Sequence, residues 1–202
     1  MGSLREEIQP LHFVIPDQLI DRTTMRKSTF FEDGISAHIS FADPFCLELT
    51  QIIGSCLEKL NLVYHKNKTL VVMEGPAFST RAESKMYRAF GADIINMSGL
   101  PESKLAAEAE ICYAMVCMTT DYDSWRVNEE TVSLNSVLAN LSANSENALK
   151  LLTSLIPVLE EKGVGSLNCV IEIEGTAKNS IITAVHKRIP ETVGKLSYIL
   201  DL

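Results

Sequence analysis

The chain has 202 residues, 46% of them hydrophobic and 22% charged, with a net charge of −8 at neutral pH. These values fit one globular domain that buries about 70% of the surface of its unfolded chain. The acidic balance excludes a general nucleic-acid binder, which needs a basic face, but not a site for a small anion. No apolar run is long enough to span a bilayer, so no membrane partner is expected. The start MGSLREEIQP is neither a signal nor a transit sequence, and Glu6 stands where a myristoylation signal needs Ser or Thr. The cysteines (Cys46, Cys56, Cys112, Cys117, Cys169) are odd in number and lack CxxC spacing, and the four histidines are scattered. Buried, reduced thiols of a cytoplasmic protein and no metal are the expectation.

In chain order, 11–16 reads as a short strand, and the polar run DQLIDRTTMRKS that follows reads as a loop. ADPF marks a turn, and 45–60 has helical apolar spacing. KTLVVMEG at 68–75 is a buried-type strand ended by Gly75-Pro76. A helix follows over 80–90, where Thr80 and Glu83 form a capping-box pattern and Gly91 stops it. ADIINM is a short strand, and Pro101 opens a helix over 102–110. CYAMVCMTT at 112–120 reads as an apolar strand, and 131–161 as a helix bent near 142–144. SLNCVIEIEG at 166–175 alternates like a half-buried strand, and the tail from Ser180 holds a helix, a break at Pro190 and a second short helix. Strands alternating with helices predict an α/β fold with a central mixed sheet covered on both sides. No repeat or linker divides it, so 1–202 reads as a single domain.

Three successive strand ends carry Phe78-Ser79, Met97-Ser98 and Asp121-Tyr122-Asp123. Open α/β folds gather ligand-binding groups at such ends. Asp121 and Asp123, two apart on an extended segment, point the same way and can bracket one edge of a purine. One accepts from an exocyclic amine and the other, held protonated by burial and by its neighbour, donates to a ring nitrogen. The competing reading is a solvated turn or helix cap. Phe78 and Ser79 suit a base or equally a hydrophobic staple, and Met97 suits a core. There is no GxGxxG, no P-loop and no Ser-His-Asp or Cys-His set.

Taken together, GSLREEIQP, DQLIDRTTMR, EGPAFSTRAE, GADIINM, ICYA, TTDYDSW and VSLNSVL resemble the 5'-methylthioadenosine phosphorylases of the trimeric purine nucleoside phosphorylase family, up to about Pro157. The Asp-x-Asp pair is the family's mark of 6-aminopurine enzymes. The resemblance implies phosphorolysis of methylthioadenosine to adenine and 5-methylthioribose 1-phosphate, in purine and methionine salvage. Inorganic phosphate is the co-substrate and no cofactor is needed. It gives Asp121 and Asp123 the adenine edge, with Asp121 the proton donor. Phe78 and Ser79 line the base, and Met97 lies under the ribose. Ser98 touches phosphate and sugar where the family has Thr, and Val137 and Leu138 line the methylthio pocket. His38 reaches a neighbouring subunit of a homotrimer. It also implies a family segment before Met1, with a Gly-rich phosphate loop, an Arg-His motif and strands of the sheet. Without it, an unpaired apolar edge is expected. The alternative is a catalytically impaired, truncated partner of full-length subunits. Ala77 (the family often has Arg) and the tail after about 160 depart from the pattern.

Overall fold

The computed structural model describes residues 1–126 and 134–200. Six strands form one sheet: β1 (Gly2–Ser3), β2 (Phe13–Arg22), β3 (Tyr64–Met73), β4 (Ile94–Asn96), β5 (Cys117–Met118) and β6 (Asp121–Tyr122). Their order is β5-β2-β3-β4-β1-β6. β2, β3 and β4 are mutually parallel, β1 runs antiparallel to β4 and parallel to β6, and β5 is antiparallel to β2. β5 and β6 belong to one extended run, so the sheet curls until its two ends meet. The Leu11 N–H donates to the Thr119 carbonyl (2.9 Å), and the Thr120 N–H to the Met1 carbonyl (2.9 Å). The Met1 amino group donates to the Met118 carbonyl (3.0 Å). β1 is paired on both sides, by β4 and by β6, so the unpaired edge expected there is absent among the described residues.

The helices are α1 (Leu47–Lys59), α2 (Arg81–Ala89), α3 (Glu102–Glu108), α4 (Leu134–Lys162), α5 (Asn168–Ile173), α6 (Thr176–Asn179), α7 (Pro190–Lys195) and α8 (Ser197–Leu200). Strand alternation sorts the core. Val14, Leu70, Val72, Ile94 and Cys117 fill the inside of the curl with Ile8 and Leu100. Val71 and Ile95 face outward with Leu4, Tyr87 and Ala92, under α2. Phe13 and Ile15 pack against Ile53, Cys56 and Leu57 of α1 and Leu151 and Leu155 of α4. Each such burial stabilises by roughly 1.5–3 kcal/mol. The α2 capping box forms as expected: the Glu83 N–H donates to Thr80 Oγ1 (3.2 Å), and the Thr80 N–H donates to Glu83 Oε2 (2.7 Å). Gly91 ends the helix at φ +86°.

Five segments differ from expectation. β2 continues through 17–22, read as loop, because parallel pairing to Met73 satisfies its backbone, and tertiary pairing overrides polar composition. Of 112–120, only Cys117–Met118 is strand. The alternating 166–175 is mostly the helix α5, and Leu167 before it is buried in the cluster formed with α1 and α4. Pro190 opens α7 at its first turn, where a missing N–H costs nothing. Before it, 180–189 holds a bridge (Ala37 to Ile181) and a 3-10 turn rather than an α-helix. The expected long helix is α4. It passes 142–144 unbroken, and the expected start at 131–133 lies outside the described residues. The tail packs Ala177, Leu196 and Leu200 on Phe31 and Ile35. Among the described residues, no helix is long and apolar enough to cross a membrane.

Candidate functional site

The carboxyl ends of β3 and β4 and the run 121–123 come together on the α2 side of the sheet. Gly2 sits between Ile95 and Asp121 in register. It is the only residue type that fits: a Cβ there would lie 2.9 Å from Ile95 Cγ2, 3.1 Å from Asp123 Cβ and 3.2 Å from Asp121 Oδ1. Both carboxylates thus share one face, as their spacing predicts. Tyr122 points away, against Trp125 (ring centroids 6.1 Å), and the Arg126 guanidinium lies over its ring at 3.4 Å. Trp125 clamps the turn by donating from Nε1 to the Ser3 carbonyl (2.8 Å).

The two aspartates differ. Asp121 is half-buried and accepts from Thr120 Oγ1 at 2.6 Å. Asp123 is 5% exposed, and its Oδ2 has no hydrogen-bond partner. Burial pushes its pKa up. The Asp121 charge adds to the rise, while Ser84, the Ser124 backbone and Ser79 oppose it. The Ser84 hydroxyl is also buried without a partner. A buried polar atom left unpaired costs about 1–3 kcal/mol, and such orphans ask for an explanation.

Around this pair, Ser79 is buried with its Oγ 3.5 Å from Met73 Sδ, and Phe78 is 53% exposed beside it. Met97 closes on the other strand end: a Cβ on Gly75 (φ +71°) would meet Met97 Sδ at 2.6 Å. Ser98 is exposed, and its N–H donates to Asn96 Oδ1 (3.4 Å). α4 lies over the same run, with Asn140 Nδ2 donating to the Thr120 carbonyl (2.7 Å) and Asn144 Nδ2 to the Thr119 carbonyl (2.9 Å). Val137, three residues before Asn140, shares that helix face, whereas Leu138 is 51% exposed. His38 is not brought to this cluster. It is exposed, and its N–H pairs with the Ser180 carbonyl (3.0 Å) on the tail.

Sequence reasoning missed Gly2, Ser84 and Thr120. Ser84 was findable, since it and Tyr87, three apart, are the buried positions of α2. It also passed over Arg26. That guanidinium pairs with Glu74 Oε1 (3.0 Å) and donates to the carbonyls of Met73, Glu74 and Leu100. Glu74 Oε2 accepts from the N–H groups of Thr24 (2.5 Å) and Met25 (3.0 Å). Glu74 and Arg26 therefore brace the strand ends from behind.

Residues 1–157 match the family model described as the phosphorylase superfamily. An S-methyl-5'-thioadenosine phosphorylase of Tuber melanosporum is 47% identical over 99% of this chain and 67% of its own length, and that of Aspergillus fumigatus 45% over 98% and 59%. This chain thus spans about three fifths to two thirds of these relatives. Among solved structures, a methylthioadenosine phosphorylase from an antarctic soil metagenomic library superposes with a TM-score of 0.88 at 40% identity, over 98% of this chain and 69% of that one. The Schistosoma mansoni methylthioadenosine phosphorylase in complex with adenine gives 0.84 at 27%, over 90% and 70%. With its curled mixed sheet, its strand-end carboxylates and these matches, the chain belongs to the phosphorylase superfamily.

Proposed function

We propose that this chain acts on 5'-methylthioadenosine, holding the base and ribose while inorganic phosphate displaces adenine to leave 5-methylthioribose 1-phosphate. The observation that carries the reading is the buried Asp123 carboxyl with an orphaned oxygen, on one face with Asp121 and beside the Ser79 and Ser84 hydroxyls. A 6-aminopurine edge offers a donor and an acceptor side by side, which a singly protonated pair of carboxyls complements. Phosphate oxygen bonds to the anomeric carbon as the bond to the base breaks, and the electron pair leaves with the purine. The pair shares one proton, as coupled carboxyls do. Burial raises the pKa of Asp123, which favours holding a proton at this site, and Asp121 passes it to the purine ring nitrogen. General acid help of this kind is worth about 10²–10⁴-fold.

Phe78 and Ser79 line the base, and Met97 supports the ribose. Ser98 touches phosphate and sugar, and Val137 and Leu138 take the methylthio group. His38, exposed on its segment, serves a neighbouring subunit of a homotrimer in a reducing, cytoplasmic setting. The test is adenine release from methylthioadenosine with and without phosphate. Phosphate-dependent release is expected; none at high protein concentration overturns the reading.

A further inference from the structure

The three half-buried cysteines fall outside this chemistry, yet their thiols converge. Cys46 caps the amino end of α1, Cys112 lies between α3 and β5, and Cys169 sits on α5. All three sulfurs are within 4.8 Å of one another, the one such group of potential metal ligands among the described residues. All are free thiols. Sequence spacing gave no hint of this, because the three come from distant parts of the chain.

The cluster is held from both sides. The Cys46 N–H donates to the Tyr113 carbonyl at 2.7 Å, and Phe45 stacks on Tyr113 with centroids 6.0 Å apart, which fixes the 112–113 segment against α1. The Asn168 N–H donates to Glu48 Oε2 at 2.9 Å, which pins the start of α5 to the first turn of α1. Lys162 in turn pairs with Glu48 Oε1 at 3.0 Å. The thiols open onto a cavity of about 720 Å³, lined also by Asp43, Tyr113, Glu172 and Thr176.

Three thiolates around one soft cation need little movement from this arrangement. Tetrahedral zinc with bonds of about 2.3 Å puts its sulfurs about 3.8 Å apart, inside the 4.8 Å within which these three sulfurs lie.

We propose that Cys46, Cys112 and Cys169 form a binding site for a soft d10 cation, represented by zinc(II), with three thiolate ligands and a fourth position open to the cavity. Binding releases three protons, one from each thiol, and a water completes the tetrahedron. The site is independent of the nucleoside reading, because none of its residues belongs to the carboxylate cluster.

The test uses the full chain, purified under reducing, metal-free conditions. Zinc titrated against a chromogenic chelator is expected to bind at one equivalent. Cobalt(II) in its place is expected to show a near-ultraviolet thiolate charge-transfer band and the visible bands of a tetrahedral ion. Cys46→Ser, Cys112→Ser and Cys169→Ser each weaken zinc by at least about 100-fold, more than the loss of an outer-shell partner. Because a variant can misfold, the wild-type chain is also alkylated with and without zinc and mapped by mass spectrometry. Zinc should protect Cys46, Cys112 and Cys169 together. Tight binding that survives in Cys169→Ser, cobalt without a charge-transfer band, or no protection of the three thiols overturns the proposal.

Discussion

The two outer faces of the curled sheet treat polar atoms in opposite ways. Under α1 and α4 the contact is apolar, built on Phe13, Ile15, Leu57 and Leu155. On the other side, under α2, lie two of the three buried side-chain atoms that lack a hydrogen bond among the described residues, Asp123 Oδ2 and Ser84 Oγ; the third, Oδ1 of Asn144, is on α4 itself, and the amide nitrogen of that side chain reaches the Thr119 carbonyl. One face supplies stability, while the other gives some up to keep hydrogen-bonding capacity free. A ligand with matching donors and acceptors recovers that loss, which is how a pre-formed site turns strain in the free protein into affinity.

The sharpest way to break this contrast is at the carboxylates. Asp121→Asn and Asp123→Asn are each expected to lower kcat/KM for methylthioadenosine by about 10²–10⁴-fold, the range for losing a general acid. Activity retained in both would remove the polar face from the chemistry. Asp123→Asn carries a second, opposite effect. The folded-state pKa of Asp123 is raised, so the native state binds its proton more tightly than the unfolded chain. Native stability from this group is therefore full at acid pH and lost as pH rises through the raised pKa. The Asn variant should be more stable than the parent at neutral pH, and the gap should change sign or close in acid. Urea melts at several pH values read this directly.

On the apolar face, Leu57→Ala should cost about 2–5 kcal/mol in chemical denaturation while leaving adenine binding in the folded fraction unchanged. Gly2→Ala joins the two arguments. Its methyl would press on Ile95 and the carboxylate pair, so about 1–3 kcal/mol of destabilisation should come with weaker adenine binding, measured by calorimetry. Unaltered binding would show that the pair tolerates displacement. Thr80→Ala should cost about 1 kcal/mol through the lost cap, with a small rise in KM if α2 carries Ser84 to its place.

Legibility in the sequence followed range. The Thr80–Glu83 box, the strand ending at Gly75 and the shared face of Asp121 and Asp123 depend on residues a few positions apart, and they were readable. The extension of β2 to Arg22 depends on β3, fifty residues on, and the polar run 17–22 concealed it. The alternation of 166–175 pointed to a strand, but the segment packs as the helix α5 against α1, a contact more than a hundred residues away in sequence. Ser84 looked like an ordinary helix residue until α2 was laid against Asp123. The thiol cluster joins Cys46, Cys112 and Cys169, and no local pattern encodes such a meeting.

The closure of the curl also has a consequence for biogenesis. The Met1 backbone pairs with residues 118–120, and Ser3 with Asp123. A ribosome adding about 5–20 residues per second leaves the first segment waiting roughly 6–24 s before those partners exist. Through much of that interval β1 has neither β4 nor β6 beside it, and the residues that follow it, Leu4 and Ile8, stand open to solvent or to a chaperone. Nascent chains stalled before residue 117 should therefore be most exposed to proteolysis around residues 1–8.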